Sequence, residues 1–426
     1  MLSQYPGDYP LPLVGNGLQL GFDTDFCSNK MVDLWKKHGG SNFRMTVGSE
    51  EWVLISNPDD VATILNHPTE LRKQVERNTG MKPLFGNSLS TSDGARWKLM
   101  RKIIAPSFHF KTLDKNLETF NTNCDHLFKL LDEQNNQVVD IYRYMKPYMF
   151  NVVCNSLMGV ELDLLNDLDN PYFEASDNAM KIITQNYFSY WRSLIHSFVT
   201  PTLYKTITNV INIISVMGSN VIARRREKIK KIIEDECNIV KTRGLDIDKL
   251  VQEKCSTEAC LLDRLLLSKL YNGFVLSEDD VAQEVNLLCW TGHHSSTVAI
   301  SHALYCIAKH PEVQNRIIEE QKQIFNNDIY KKPTNQDLVE MKYLEAVIKE
   351  SMRFIPVINK ISRHLQNDLL LKGFRFAWTS MKATISNVIR RYELSPGGPG
   401  TEPQFIYRLM TESKNGVLLK IKKRQC

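Results

Sequence analysis

Residues 291–297 read Thr291-Gly292-His293-His294-Ser295-Ser296-Thr297, in the middle of an apolar stretch that runs from Glu278 to about Lys309. Ser277 followed by Asp280 has capping-box spacing, with Asp in place of the usual Glu or Gln, and His310-Pro311 ends the stretch. The pattern predicts one helix over 278–309, apolar on nearly every side of its middle, as a buried helix is. At 1.5 Å per residue it is roughly 46 Å long, enough to cross a whole domain. A glycine inside it costs about 1 kcal/mol relative to Ala, and polar groups buried there need partners. A chain keeps such a segment where something binds against the helix, or where the hydroxyls bond to backbone one turn back. Cys289 and His293 are four apart and could begin a metal site only with further ligands. Two core side chains is the plainer reading.

A second helix is expected over 336–354, stopping before Pro356. On it Glu350 and Arg353 are three apart, share a face and can pair. A solvated pair is the ordinary outcome of that spacing. Leu344, Val347, Ile348 and Met352 make the helix partly buried, and a buried pair would need hydrogen bonds on both sides. Trp97 and Arg101, four apart, suit an arginine lying on an aromatic face or reaching an anion. Arg224-Arg225-Arg226 with Lys228, Lys230 and Lys231 reads as a solvated helix face, with a membrane or partner patch as the lesser alternative.

Around these helices, Pro6, Pro10 and Pro12 hold an extended start. Residues 43–56 read as two strands, and Pro58-Asp59-Asp60 opens a helix. Residues 96–325 are mostly helical, with breaks at Pro106, Pro171, Pro201 and Asn272-Gly273. A strand-like segment over 368–373 precedes a helix from Arg375 to Tyr392. The end reads as a hairpin, 405–410 returning as 417–421 through Asn415-Gly416.

The chain has 426 residues, 42% of them apolar and 24% charged, and a net charge of +5. That is an ordinary globular composition with room for a large core. The mild charge and the lack of a zinc-finger or RNA-recognition signature give no ground for a nucleic-acid partner. Nine cysteines without a CxxC pair read as reduced thiols rather than a disulfide framework. No run of 18 apolar residues occurs.

In this order, these features resemble the cytochrome P-450 superfamily, and within it the family-4 clan that includes fatty-acid ω-hydroxylases. Residues 10–16 (Pro-Leu-Pro-Leu-Val-Gly-Asn) resemble the proline-rich hinge after a membrane anchor. Trp97 and Arg101 match a Trp-x-x-x-Arg that meets a haem propionate, and Arg363 falls at a further propionate contact. Thr291 to Ser296 resembles the clan's Glu-Gly-His-Asp-Thr-Thr, which carries Gly292 against the haem. It sets His294 and Ser295 at the acid–alcohol positions that relay protons. Glu350 and Arg353 match Glu-x-x-Arg, and residues 376–384 match the helix that follows the family's cysteine loop.

The resemblance implies a mainly α fold with a small β-sheet, a single cytochrome P-450 domain over 1–426 that is incomplete near the C-terminus. It implies haem as cofactor, a lipophilic substrate such as a fatty acid, and oxygen insertion from O2. An NADPH-dependent flavoprotein reductase would be the partner, on the cytosolic face of the endoplasmic reticulum membrane. The departures are as informative. Thr291 replaces the glutamate that can esterify haem, His294 the aspartate, and Ser295 the threonine. No cysteine lies between Cys306 and Cys426, so the axial thiolate is missing and a deletion is expected after Gly373. The membrane anchor is expected to be missing too. The alternative is a haem-free remnant that binds a lipid or a partner without catalysis.

Overall fold

The computed structural model describes residues 5–20, 27–47, 50–65, 81–108, 110–188, 201–243, 260–269, 273, 275–328, 330–362, 376–408 and 410–424. The central helix spans Glu278–Lys309, with the bounds its sequence implies. The Ser277 hydroxyl accepts from the Asp280 backbone N–H, and the Asp280 carboxylate accepts from the Ser277 N–H. The same carboxylate receives Arg96 at 2.6 Å, so the cap also fixes the helix Gly94–Ile104 to the start of the central helix.

Crossing the central helix is Ile141–Val153, all of whose residues but Arg143 and Lys146 are buried. It runs into a single π turn, Cys154–Met158, which ends at Gly159 with φ of 62°. A left-handed residue without a Cβ closes that turn at no steric cost. At the crossing, a Cβ added to Gly292 would stand 3.0 Å from Val153 Cγ2. Gly292 is therefore what lets the two backbones approach.

The buried side chains divide along the central helix. Val281 to Trp290 pack with Phe150 to Met158, with the helix Pro171–Phe188 and with the long helix Pro201–Arg243. Val298 to Ala308 pack with the other end of the crossing helix, with Lys342–Phe354 and with the last helix, Phe376–Arg391. The polar stretch 291–297 sits where one apolar cluster ends and the other begins.

Among the described residues, three small antiparallel sheets complete the fold. Phe43–Val47 (β1) pairs Glu50–Leu54 (β2), with Met45 opposite Trp52. Val138–Asp140 (β3), Tyr392–Pro396 (β4), Phe405–Tyr407 (β5), Thr411–Ser413 (β6) and Leu418–Lys423 (β7) follow. One sheet has the order β3-β7-β4, and β5 pairs β6 in another. The expected hairpin of 405–410 with 417–421 is thus corrected. The tight pair forms within 405–413, and the turn at Asn415-Gly416 sends β7 into a different sheet. Gly416, at φ of 76°, lies where any Cβ would strike the Asp140 carboxylate.

The expected helix 336–354 is two helices, Asn335–Glu340 and Lys342–Phe354, separated by Met341 at φ −70°, ψ 69°. Thr334 and Asp337 form a second capping box, which starts the first of them. The strand expected over 368–373 and the residue Arg363 lie outside the described residues. The basic run is corrected at one position. Arg224 and Arg226 are exposed, but Arg225 is buried and grips Asp263 through two bonds of 2.7 and 2.5 Å. Its remaining nitrogen donates to the Gly159 carbonyl at 3.0 Å.

Candidate functional site

His294 is the polar centre of the boundary between the two clusters. Its Nε2 lies 2.8 Å from Glu412 Oε1, and Arg408 donates to Glu412 Oε2 at 2.6 Å. On the other ring edge, Nδ1 faces Ser176 Oγ at 3.4 Å. Trp290, one turn earlier, stacks on the imidazole with centroids 5.4 Å apart and an angle of 21°. Its indole donates to the Ser176 carbonyl at 3.3 Å. Burial alone would raise the Glu412 carboxyl. The His294 hydrogen bond, and then the neighbouring His294 and Arg408 charges, outweigh it and hold that carboxyl below its usual value.

His293 has a different environment. Its Nδ1 meets the Cys289 carbonyl oxygen at 2.7 Å, and the ring packs among Phe150, Tyr172 and Phe173. Burial, then His294, pushes its pKa down to about 3, so it is a neutral core side chain. The plain reading of Cys289 and His293 is the one the geometry favours. Among the described residues no three His, Cys, Asp or Glu side chains stand together as metal ligands. Further along the helix His302, whose pKa burial lowers to about 4, meets the Tyr142 hydroxyl at 3.1 Å.

The hydroxyls of the stretch bond largely to backbone. Thr291 donates to the Leu287 carbonyl and Ser295 to the Thr291 carbonyl, each one turn back, at 2.8 and 2.9 Å. Thr297 donates to the Met145 carbonyl across the helix crossing at 3.2 Å. His294 and Ser295 are consecutive, point about 100° apart on the helix and have separate partners. The structure does not bring them together as a pair. Gly292 faces Val153 of the crossing helix, so helix packing accounts for this glycine.

Trp97 and Arg101 do meet, with the guanidinium 5.3 Å from the indole centroid and Arg101 exposed. Glu350 and Arg353 form a two-bond pair at 2.7 Å each. That pair is 63% and 71% exposed, while Leu344 and Ile348 fill the core on the opposite face. The helix is partly buried as its sequence implies, but the pair lies on its solvent side.

Ser176, Arg408 and Glu412 escaped sequence reasoning. Ser176 is on a helix with no motif, and Arg408 and Glu412 bracket a hairpin turn more than a hundred residues from His294. Only Trp290 carried a signal, its spacing of four from His294.

These features define a mostly helical protein with small antiparallel sheets and a polar centre on one long central helix. The sequence model of the cytochrome P450 family matches residues 5–378. Probable cytochrome P450 4d20 of Drosophila melanogaster is 30% identical over 374 residues, 86% of this chain and 71% of its own length. Cytochrome P450 4c3 of the same organism is 29% identical over 376 residues, 87% and 69% of the two chains. The chain belongs to the cytochrome P450 family, in its family-4 clan. Cytochrome P450 4d2 of Drosophila melanogaster is 27% identical over 488 aligned positions, 98% of this chain and 94% of its own length. That alignment is longer than the 426 residues here, so parts of that relative have no counterpart in this chain.

The family's cofactor is haem, and iron held by a thiolate needs an ionisable, accessible cysteine. The described cysteines do not offer one. Cys27, Cys124, Cys154, Cys260 and Cys289 are buried and Cys306 is half-buried. Burial pushes the Cys124 thiol up to about 11 and that of Cys260 up to about 12, and raises Cys154 and Cys306 as well. His294 has its Nε2 on Glu412, and the face of Arg101 is on Trp97. Among the described residues, none of these groups fits a haem-thiolate centre.

Proposed function

We propose that this chain is a family-4 relative of enzymes that insert one oxygen of O2 into a lipophilic substrate such as a fatty acid, and that in its present form it does not assemble their haem-thiolate centre. The observation that carries the reading is the absence of any cysteine between Cys306 and Cys426, together with the raised thiols of Cys124, Cys154, Cys260 and Cys306. A longer form with the cysteine loop, inserted after Gly373, would take electrons from an NADPH-dependent flavoprotein reductase at the endoplasmic reticulum membrane. Within Tyr204–Glu234 one 18-residue window is apolar enough to cross a membrane by length and composition, and 28% of that window is buried; its exposed apolar side chains are what supports contact with a membrane surface. Sequencing the transcript across the Gly373–Phe374 junction tests the deletion. A continuous coding sequence, with no alternative form that carries a cysteine loop, would contradict it.

A second reading is a haem-free binding protein. It is favoured by the chain from Arg408 through Glu412 to His294, in which protein groups alone satisfy the polar centre of the central helix. Titration with a fluorescent fatty acid, without added haem, tests it. Saturable binding supports it, and no binding removes it.

A further inference from the structure

We infer that a groove between the helices Pro201–Arg243 and Leu261–Leu266 is a binding site for a small uncharged lipophile of the long-chain alcohol type. The inference rests on neither functional reading. Its rim reaches the central helix at Glu278, sixteen residues and so about 24 Å of helix before His294.

Arg226, Ile229, Lys230 and Ile233 fall at i, i+3, i+4 and i+7 and so share one face of the long helix. Ile229 and Ile233 form one apolar wall of the groove, and Leu266 and Leu267 form the other. Ile229 is buried, while Ile233, Leu266 and Leu267 are half-buried. The space between the walls is about 450 Å³ and opens to solvent, the size of a site for one small molecule. Arg225, next to Arg226, ties the two helices together through its two bonds to Asp263. Walls fixed in this way need little ordering when a ligand arrives.

The rim decides the charge of the ligand. Arg226 is bonded to both carboxylate oxygens of Glu278, and Lys230 stands 3.6 Å from Glu234. Two cations and two carboxylates balance there. A carboxylate or an ammonium brought to this rim would have to displace a partner already in place. An uncharged chain gains the burial of four aliphatic side chains, and a hydroxyl at its end can bond to the rim. A bilayer surface needs a protruding apolar face, whereas this one is recessed between charged side chains.

The experiment is photolabelling of the full chain with a decanol that carries an alkyl diazirine, followed by mass spectrometry of the labelled peptides. Label should fall on residues 226–234 and 261–267, saturate, and be displaced by decanol. Decanoate and decylamine should displace it at least about tenfold less well, since each brings an unpaired charge to a balanced rim. Leu267→Trp, which fills the groove from a half-buried position, should abolish labelling of both segments while melting as the parent does. The order of displacement is read in the parent and stands whether or not that variant folds. Label without saturation or outside the two segments, equal displacement by decanoate, or full labelling of a folded Leu267→Trp would overturn the inference. So would a dimeric parent that Leu267→Trp makes monomeric, which would give the groove to a second copy.

Discussion

Asp263→Ala is the substitution whose cost the structure sets most clearly. Asp263 and Arg225 keep 2% and 8% of their side-chain exposure, and two hydrogen bonds join them. Asp263 Oδ2 also accepts the Cys260 backbone N–H at 3.0 Å, at the start of the helix Leu261–Leu266. Arg225 in turn holds the Gly159 carbonyl, at the end of the π turn. Truncating the aspartate takes two charge-assisted bonds from a buried guanidinium, at a cost of about 3–5 kcal/mol. The lost cap adds about 1 kcal/mol. Against a total stability of about 5–15 kcal/mol, the variant should be close to unfolding. Urea titration followed by circular dichroism measures the loss. Asp263→Leu combined with Arg225→Met should be far milder, since both buried charges are then removed together. A loss below about 1 kcal/mol for Asp263→Ala, or a double variant as damaged as the single, would refute the reasoning from burial.

Stability should fall as the pH drops from about 6.5 toward 4. His293 and His302 bind protons in the unfolded chain below their ordinary value of 6.5, but in the fold only near 3 and 4. At pH 5 unfolding should therefore take up about two protons, and stability must rise with pH in that window. His302→Phe should remove about half of the slope, read as the pH dependence of the urea midpoint. Gly292→Val should be destabilising by about 1–3 kcal/mol through overpacking, and Val153→Ala should relieve part of the loss in the double variant, as melting curves will show. Glu350→Ala should leave the melting curve unchanged, because its pair with Arg353 is solvated. A clear drop would mean that this pair is held by more than its own helix.

The long central helix was legible in the sequence because cap, apolar run and terminal Pro311 all agree within one local segment. The same holds for the pairing of Trp97 with Arg101 and of Glu350 with Arg353, which spacing alone decides. What spacing cannot give is the side of the helix a pair faces. Glu350 and Arg353 turned out to be on the face opposite Leu344 and Ile348, and Arg225 is buried although its neighbours are not. The polar centre was half legible. His294 stood out as a polar residue in a buried helix, but its partners Glu412, Arg408 and Ser176 come from segments more than a hundred residues away, joined only by the fold. Residues 405–423 misled for a related reason. Alternation predicts strands there, but which strands pair depends on β3, whose place beside β7 no local pattern encodes.

The proposed loss of the haem-ligating thiolate from this P450-family chain can be measured directly. The direct measurement is the carbon monoxide difference spectrum of the reduced protein after incubation with haem, with Cys426→Ser in parallel. No thiolate-type red-shifted Soret band is expected for either form. A red-shifted band in the parent chain would contradict it, and loss of that band in Cys426→Ser would identify the terminal thiol as the ligand.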